Sequence, residues 1–275
     1  MTYTRINVSV ADKVGHIELS VPDEYNRMPP AFWTEFPEAM QELDRSGAVR
    51  AVVVSSTGKH FTAGLDVSSF GANAAAAQQW DAGRRAESSR RHLAGMQDAF
   101  SVMERVRMPV LTAIQGGCVG GGVDLIAASD MRYCTAEAFF CIQEINIGMA
   151  ADVGTLQRLP KLIPEGMMRE LAYTGRRMYA DEALEIGLVN RVYDDQEALL
   201  SGVMALAKEI ASKSPLAIAS TKHLLHYGKE HSIADTLDYQ TVWMGALTQG
   251  PEIQKHFAAK AEGQDADYDD LPPLG

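Results

Sequence analysis

The sequence predicts an α/β fold that gives way to an all-helical C-terminal part. Three observations carry this prediction. Short β-rich runs alternate with helical patterns as far as about residue 195. Val52-Val53-Val54 is continuous and apolar, as a parallel strand buried on both faces is, and the mostly apolar run from 110 to 114 reads as another buried strand. Beyond residue 195 only helical periodicity remains. The chain therefore divides into a β/α core over residues 1–195 and a helical region over residues 196–275.

Taken in order, residues 6–10 and 14–20 are two short strands joined by Asp12-Lys13, and a Pro-containing loop over 22–30 leads to a helix over 31–45. The strand at 49–55 runs into a loop, 56–66, punctuated by Gly58 and Gly64. Residues 72–107 read as a helix with a weak Ala/Gln-rich first half; its second half places Leu93, Met96, Phe100, Met103 and Val106 on one face, and Pro109 ends it. The strand at 110–114 meets Gly116-Gly117-Cys118-Val119-Gly120-Gly121-Gly122, and a helix restarts at 123–128. Residues 131–134 and 138–141 are short strands, and helices follow at 201–213, 214–226 and 232–247.

The chain has 275 residues, with 25 Lys and Arg against 36 Asp and Glu, a formal charge of −11. Such acidity disfavours binding to a nucleic-acid backbone. No apolar run reaches the roughly 18 residues that a membrane span needs, so no membrane is expected as a partner. The three cysteines lack disulfide or C-x-x-C spacing, and the seven histidines are scattered without the spacing of metal ligands, so no metal is expected. With neither a secretory or transit leader nor a peroxisomal C-terminal address in view, the expected location is the cytoplasm.

Three constellations can carry chemistry. The glycine-rich turn between a strand and a helix can present backbone N–H groups to a developing oxyanion, although tight packing alone also explains it. It is neither a Walker loop nor a dinucleotide fingerprint. The segment His60-Phe61-Thr62-Ala63-Gly64-Leu65-Asp66, after a buried strand, can expose one more N–H at the carboxyl edge of the sheet, or it is an ordinary connection in which His60 is a loop histidine. Third come the carboxyls Asp124, Glu144 and Asp152, all in apolar surroundings that raise proton affinity and suit acid–base work. Asp152 is also well placed to cap a helix beginning near Thr155, and Asp124 to partner a helix dipole. Glu144, within Phe139-Phe140-Cys141-Ile142-Gln143-Glu144-Ile145, is the hardest to explain structurally.

Together these segments resemble the crotonase (enoyl-CoA hydratase/isomerase) superfamily over nearly the whole chain. The resemblance implies a spiral of repeated β-β-α units with a helical C-terminal region that packs between subunits, giving a homotrimer or homohexamer. It implies an acyl-CoA thioester substrate, coenzyme A entering as part of that substrate, and no cofactor. It assigns an oxyanion hole to the N–H groups of Leu65 and Gly121, and the substrate path to Ala63, Gly64, Leu65, Asp66, Val67 and Gly121. Within the superfamily, Gly120-Gly121-Gly122-Val123-Asp124-Leu125 and Ala150-Ala151-Asp152-Val153-Gly154-Thr155-Leu156-Gln157-Arg158-Leu159-Pro160 are similar to the 3,5-to-2,4-dienoyl-CoA isomerases of fatty acid metabolism. There the residues matching Glu144 and Asp152 are the catalytic pair and the one matching Asp124 is a third acid in the pocket. Alternative readings are a 2-enoyl-CoA hydratase, an enoyl-CoA isomerase using Glu144 alone, or a non-catalytic scaffold, which would need none of the three acids.

Overall fold

The computed structural model describes residues 3–67, 79–247 and 249–275. Of the helix expected over 72–107, residues 72–78 lie outside the described residues; residues 79–81 are not helical, and the observed helix, α2, begins only at Ala82, where the Asp81 side chain caps it, and runs to Arg105.

The main sheet has six strands in the order β1-β2-β3-β4-β6-β9. These are β1 (Ile6–Ala11), β2 (Val14–Leu19), β3 (Ala51–Ser56), β4 (Val110–Ile114), β6 (Met131–Thr135) and β9 (Arg191–Tyr193). β1 and β2 form an antiparallel hairpin whose turn residues, Asp12 and Lys13, both take left-handed angles. Every later pair in this sheet is parallel. A second, three-stranded sheet runs β5-β7-β8, from β5 (Gly117–Val119), β7 (Phe139–Cys141) and β8 (Met178–Tyr179). The expected α/β class holds, and each strand expected from the sequence is present within a few residues.

Two cores flank the main sheet, and β3 shows why its valines form an unbroken run. Val52 and Val54 point into one core with Phe36, Phe100 and Leu125, while Ala51 and Val53 point into the other. The first core is roofed by α1 (Phe32–Arg45), α2 and α3 (Gly121–Ala128). The second is closed by α7 (Gln196–Ala211), whose Leu199, Val203, Ala207 and Ala211 recur every four residues along one face. Between them in the chain lie α4 (Thr155–Arg158), α5 (Glu165–Thr174) and α6 (Ala180–Glu185).

The remaining helices among the described residues are α8 (Pro215–Gly228), α9 (Ile233–Ala246) and α10 (Gly250–Ala261). Ser214 and Ser232 cap the first two, as side-chain acceptors at helix starts do. Lys222 of α8 reaches under α2 to donate to Met103 O, Met108 O and Asp130 Oδ2, which pins that helix to the core. α9 buries none of its residues, and Ile233, Leu237 and Val242 are 81%, 59% and 70% exposed.

Candidate active site

The loops that follow β3 and β4 meet at the carboxyl edge of the main sheet and pair with each other. Phe61 N donates to Gln115 O, Thr62 N to Gly117 O and Val119 N to Thr62 O, at 2.8–3.1 Å. Gly122 has no room for a side chain: a Cβ there would stand 2.5 Å from Thr62 Cγ2. His60 adds a further tie, its Nδ1 accepting the Gly117 N–H at 2.9 Å. Burial pulls the proton affinity of His60 down, which favours the neutral ring that this acceptor role requires.

This pairing sets two backbone amides side by side. Met28 N donates to Gly64 O and Asp66 N donates to Met28 O. In a trans peptide C=O and N–H point apart, so the Leu65 N–H faces away from Met28. Gly64, at φ +81°, packs against the turn 119–121, where a Cβ would lie 3.0 Å from Gly121 N. A Cβ on Gly121 would in turn lie 3.6 Å from Leu65 N. Gly121 is the first residue of α3, so its N–H has no acceptor within the helix. Gly120 turns the chain into that helix at φ 54° and ψ −120°, angles that favour glycine.

Three carboxyls converge on the same cleft, of about 290 Å³. Glu144 opens a single 3₁₀ turn after β7, and its Oε1 would stand 3.1 Å from a Cβ on Gly120, which places it beside the amide pair. Burial pushes its carboxyl up to about 7, and the Asp124 and Asp152 charges add to the effect. Asp124, on the first turn of α3, is 1% exposed; burial raises it to about 6, against the hydrogen bonding that its carboxylate receives from Thr155. Asp152 lies just before α4 and is raised in the same direction, again by burial. The sequence reading of Asp152 as a helix cap does not hold. Gly154 occupies the cap position with no side-chain bond, and the amide of Thr155 is taken by Asp124 Oδ1 at 2.7 Å.

Of the residues named from sequence, Ala63, Leu65, Asp66, Val67, Gly121, Asp124, Glu144 and Asp152 all line this cleft. Gly64 does not; it lies behind the amide pair as a spacer. Sequence reasoning missed Arg27, which pairs with Asp66 at 3.1 Å, and Trp33, which walls the cleft together with Met96. It also missed Asn26. With Tyr25 it forms two consecutive left-handed residues, and its side chain bonds Val21 N, Thr57 O and His60 O, stitching the 22–28 loop to the loop carrying Leu65. An asparagine in a Pro-containing loop signals a left-handed turn, but not what it would hold.

The fold and this constellation define a class that comparison with known proteins identifies. The sequence model of the family described as "Enoyl-CoA hydratase/isomerase" matches residues 9–271. The chain belongs to that family. It is 44% identical over 265 residues to the mouse "Delta(3,5)-Delta(2,4)-dienoyl-CoA isomerase, mitochondrial", covering 96% of this chain and 81% of that protein. It is 38% identical to the peroxisomal protein of the same description from Arabidopsis thaliana, covering 93% and 92% of the two. Among solved structures, an enoyl-CoA hydratase from Bacillus anthracis superposes with a TM-score of 0.85 at 26% identity, over 96% of this chain and 99% of that one. The crotonase fold is thereby established. The cytoplasmic location is overturned, because these relatives are named as mitochondrial or peroxisomal. That expectation rested on seeing no targeting segment, and an absent signal carries no positive information about compartment.

Proposed function

We propose that this protein is an enzyme that isomerises 3,5-dienoyl-CoA thioesters to their 2,4-dienoyl isomers by moving a proton from C2 to C6. The observation that carries this reading is the position of Glu144 against Gly120, beside the Leu65 and Gly121 amides, with two further acids in the same cleft. The relatives named as dienoyl-CoA isomerases support the same substrate class.

The thioester oxygen accepts the N–H groups of Leu65 and Gly121. Glu144, next to that site, takes a proton from C2. The electron pair spreads over the enolate oxygen and the conjugated chain as far as C6, where Asp152 delivers a proton. The bonds C3=C4 and C5=C6 become C2=C3 and C4=C5. Substrate and product are isomers, so no oxidant or reductant is consumed and no cofactor is required. Two aligned donors stabilise the charge developing on oxygen, and losing one such donor typically costs about 2.7–4 kcal/mol.

Each turnover leaves Glu144 protonated and Asp152 ionised, and the pair must then reset. Burial raises both proton affinities, that of Glu144 to about 7, so Glu144 can exchange its proton with water near neutral pH. Asp124 acts as the third acid. Its charge raises the proton affinity of Glu144 further, and its Oδ1 fixes Thr155. The exposed apolar residues of α9 and α10, including Leu237 and Phe257, support subunit contacts through the helical region, residues 196–275, in a homotrimer or homohexamer.

Turnover of a 3,5-dienoyl-CoA in heavy water tests the proton route. Deuterium at C6 of the product is expected, and product with only hydrogen at C6 would overturn it.

A further inference from the structure

We propose that Gln97 and the Arg158–Glu104 ion pair are positioning residues for the Asp152 carboxyl, an inference that rests on the isomerase reading above. Asp152 sits on an irregular segment, 150–154, between the Glu144 turn and the four-residue helix α4. One side chain of α2 bonds this segment directly, and two others hold Arg158 of the helix that follows it. Gln97 Nε2 donates to Asp152 O at 2.7 Å. Arg158 donates to Glu104 Oε2 from Nε at 3.1 Å and from Nη2 at 2.6 Å, and to Ser101 Oγ at 2.8 Å.

The guanidinium of Arg158 lies against Gly154, which has φ +134°; a Cβ on Gly154 would collide with Nη1. The arginine thus occupies the space that a side chain at 154 would need, and its Nη1 points to Val153 O at 3.5 Å. The Arg158 and Glu104 side chains are only 16% and 15% exposed, so the pair is largely withdrawn from water. Gln97, Ser101 and Glu104 fall at i, i+4 and i+7 of α2, one stripe along a single helix face. Met96, one residue from that stripe, forms part of the cleft wall.

A second observation shows why these bonds matter. A cavity of about 440 Å³, lined by Gln97, Ser101, Glu104 and Arg158, shares Val153 with the substrate cleft. Ala151 and Val153 flank Asp152 in the first core, but on the side of this cavity the segment meets α2 through polar contacts. Glu144 is anchored separately. Met149 N donates to Glu144 O at 2.9 Å, and Asn146 Nδ2 donates to Gly175 O at 2.9 Å. Loosening the α2 contacts should thus displace Asp152 and leave Glu144 in place.

The consequence is a split between the two proton steps. A misplacement of about 1 Å can cost on the order of 10²-fold in rate. The test uses the full-length protein with a 3,5-dienoyl-CoA in heavy water. It reads two quantities: deuterium entering C2 of recovered substrate, which reports Glu144, and growth of the 2,4-dienoyl product, which also needs Asp152. Gln97→Leu alters an exposed position on α2 and Arg158→Met breaks the pair. Both are expected to lower product formation by about 10-fold or more, within the range cited for misplacement, with C2 exchange close to wild type. Arg158→Lys, which keeps a cation for Glu104, should recover part of the loss. Equal falls in both readouts for Gln97→Leu, or no fall in either, would overturn the proposal. A wild-type protein that exchanges C2 but forms no 2,4-dienoyl product would instead fail the isomerase reading, and the positioning role with it.

Discussion

Asp124 Oδ1 accepts the main-chain N–H of Thr155 at 2.7 Å, joining the helix that carries the Gly121 amide to the segment that carries Asp152. One buried carboxylate thus spans the two halves of the cleft and also contributes charge to it. Asp124→Asn separates these roles, because the amide keeps an oxygen for Thr155 and removes the charge. Burial is the main reason that Glu144 sits at about 7, and the Asp124 charge adds to it. A base works only when ionised, so activity should fall as pH drops through about 7. In Asp124→Asn this acid limb of kcat/KM should move to lower pH. A pH–rate profile checks it, and a limb that stays in place or moves upward would contradict the coupling.

Stability should respond to the same acids. Asp124 is raised from 3.8 to about 6 and Glu144 from 4.5 to about 7. Between the unfolded and folded values the folded state holds more protons, so stability is highest at the acid side of this window and declines as pH rises through it. Glu144→Gln removes its share of that decline. Denaturant midpoints at pH 5 and pH 8 should differ less in Glu144→Gln than in wild type; an equal or larger difference would contradict the assignment.

Gly64 tests the amide pair without touching an acid. Alanine there would be strained at φ +81° and its Cβ would lie 2.5 Å from Val119 O, forcing the Leu65 loop away from Gly121. Loss of one oxyanion donor typically lowers kcat by about 10²–10³-fold, and Gly64→Ala is expected to fall in that range. Steady-state kinetics on the folded variant would show it, and wild-type kcat would remove Leu65 from the site.

The apolar stripe of α9 predicts an effect on assembly. Leu237 is 59% exposed in the single chain. Leu237→Glu should shift the protein to smaller species in sedimentation velocity, since a charge buried between subunits is costly without a partner. A sedimentation profile like that of wild type would contradict the proposed subunit contact through α9.

Much of this was legible in the sequence for identifiable reasons. The valines of β3 are buried on both faces, so they form a run that only a central strand explains. The glycines at 120–122 are required by an unusual backbone angle and by side chains that leave no room, and such needs leave compositional traces. Glu144 stood out because an acid in an apolar run is costly unless it has work to do. What stayed hidden depends on contacts across the chain. Gln97 and Arg158 read as ordinary polar residues until α2 is laid beside residues 150–154. Asp152 lay three residues ahead of a helix start, where a local rule offered a cap, and only the fold shows that Asp124 satisfies Thr155 instead. The role of α7 as a layer on the main sheet, rather than a helix apart from it, likewise required the packing of Leu199 and Val203 on β3 and β4.

The central claim is most directly tested by ultraviolet absorbance of the wild-type protein with a 3,5-dienoyl-CoA, beside a 2-enoyl-CoA in a hydration assay. The account predicts growth of the conjugated 2,4-dienoyl thioester band, abolished in Asp152→Asn, with little hydration of the enoyl substrate. Loss of the enoyl band through addition of water, with no dienoyl band from the first substrate, would contradict it.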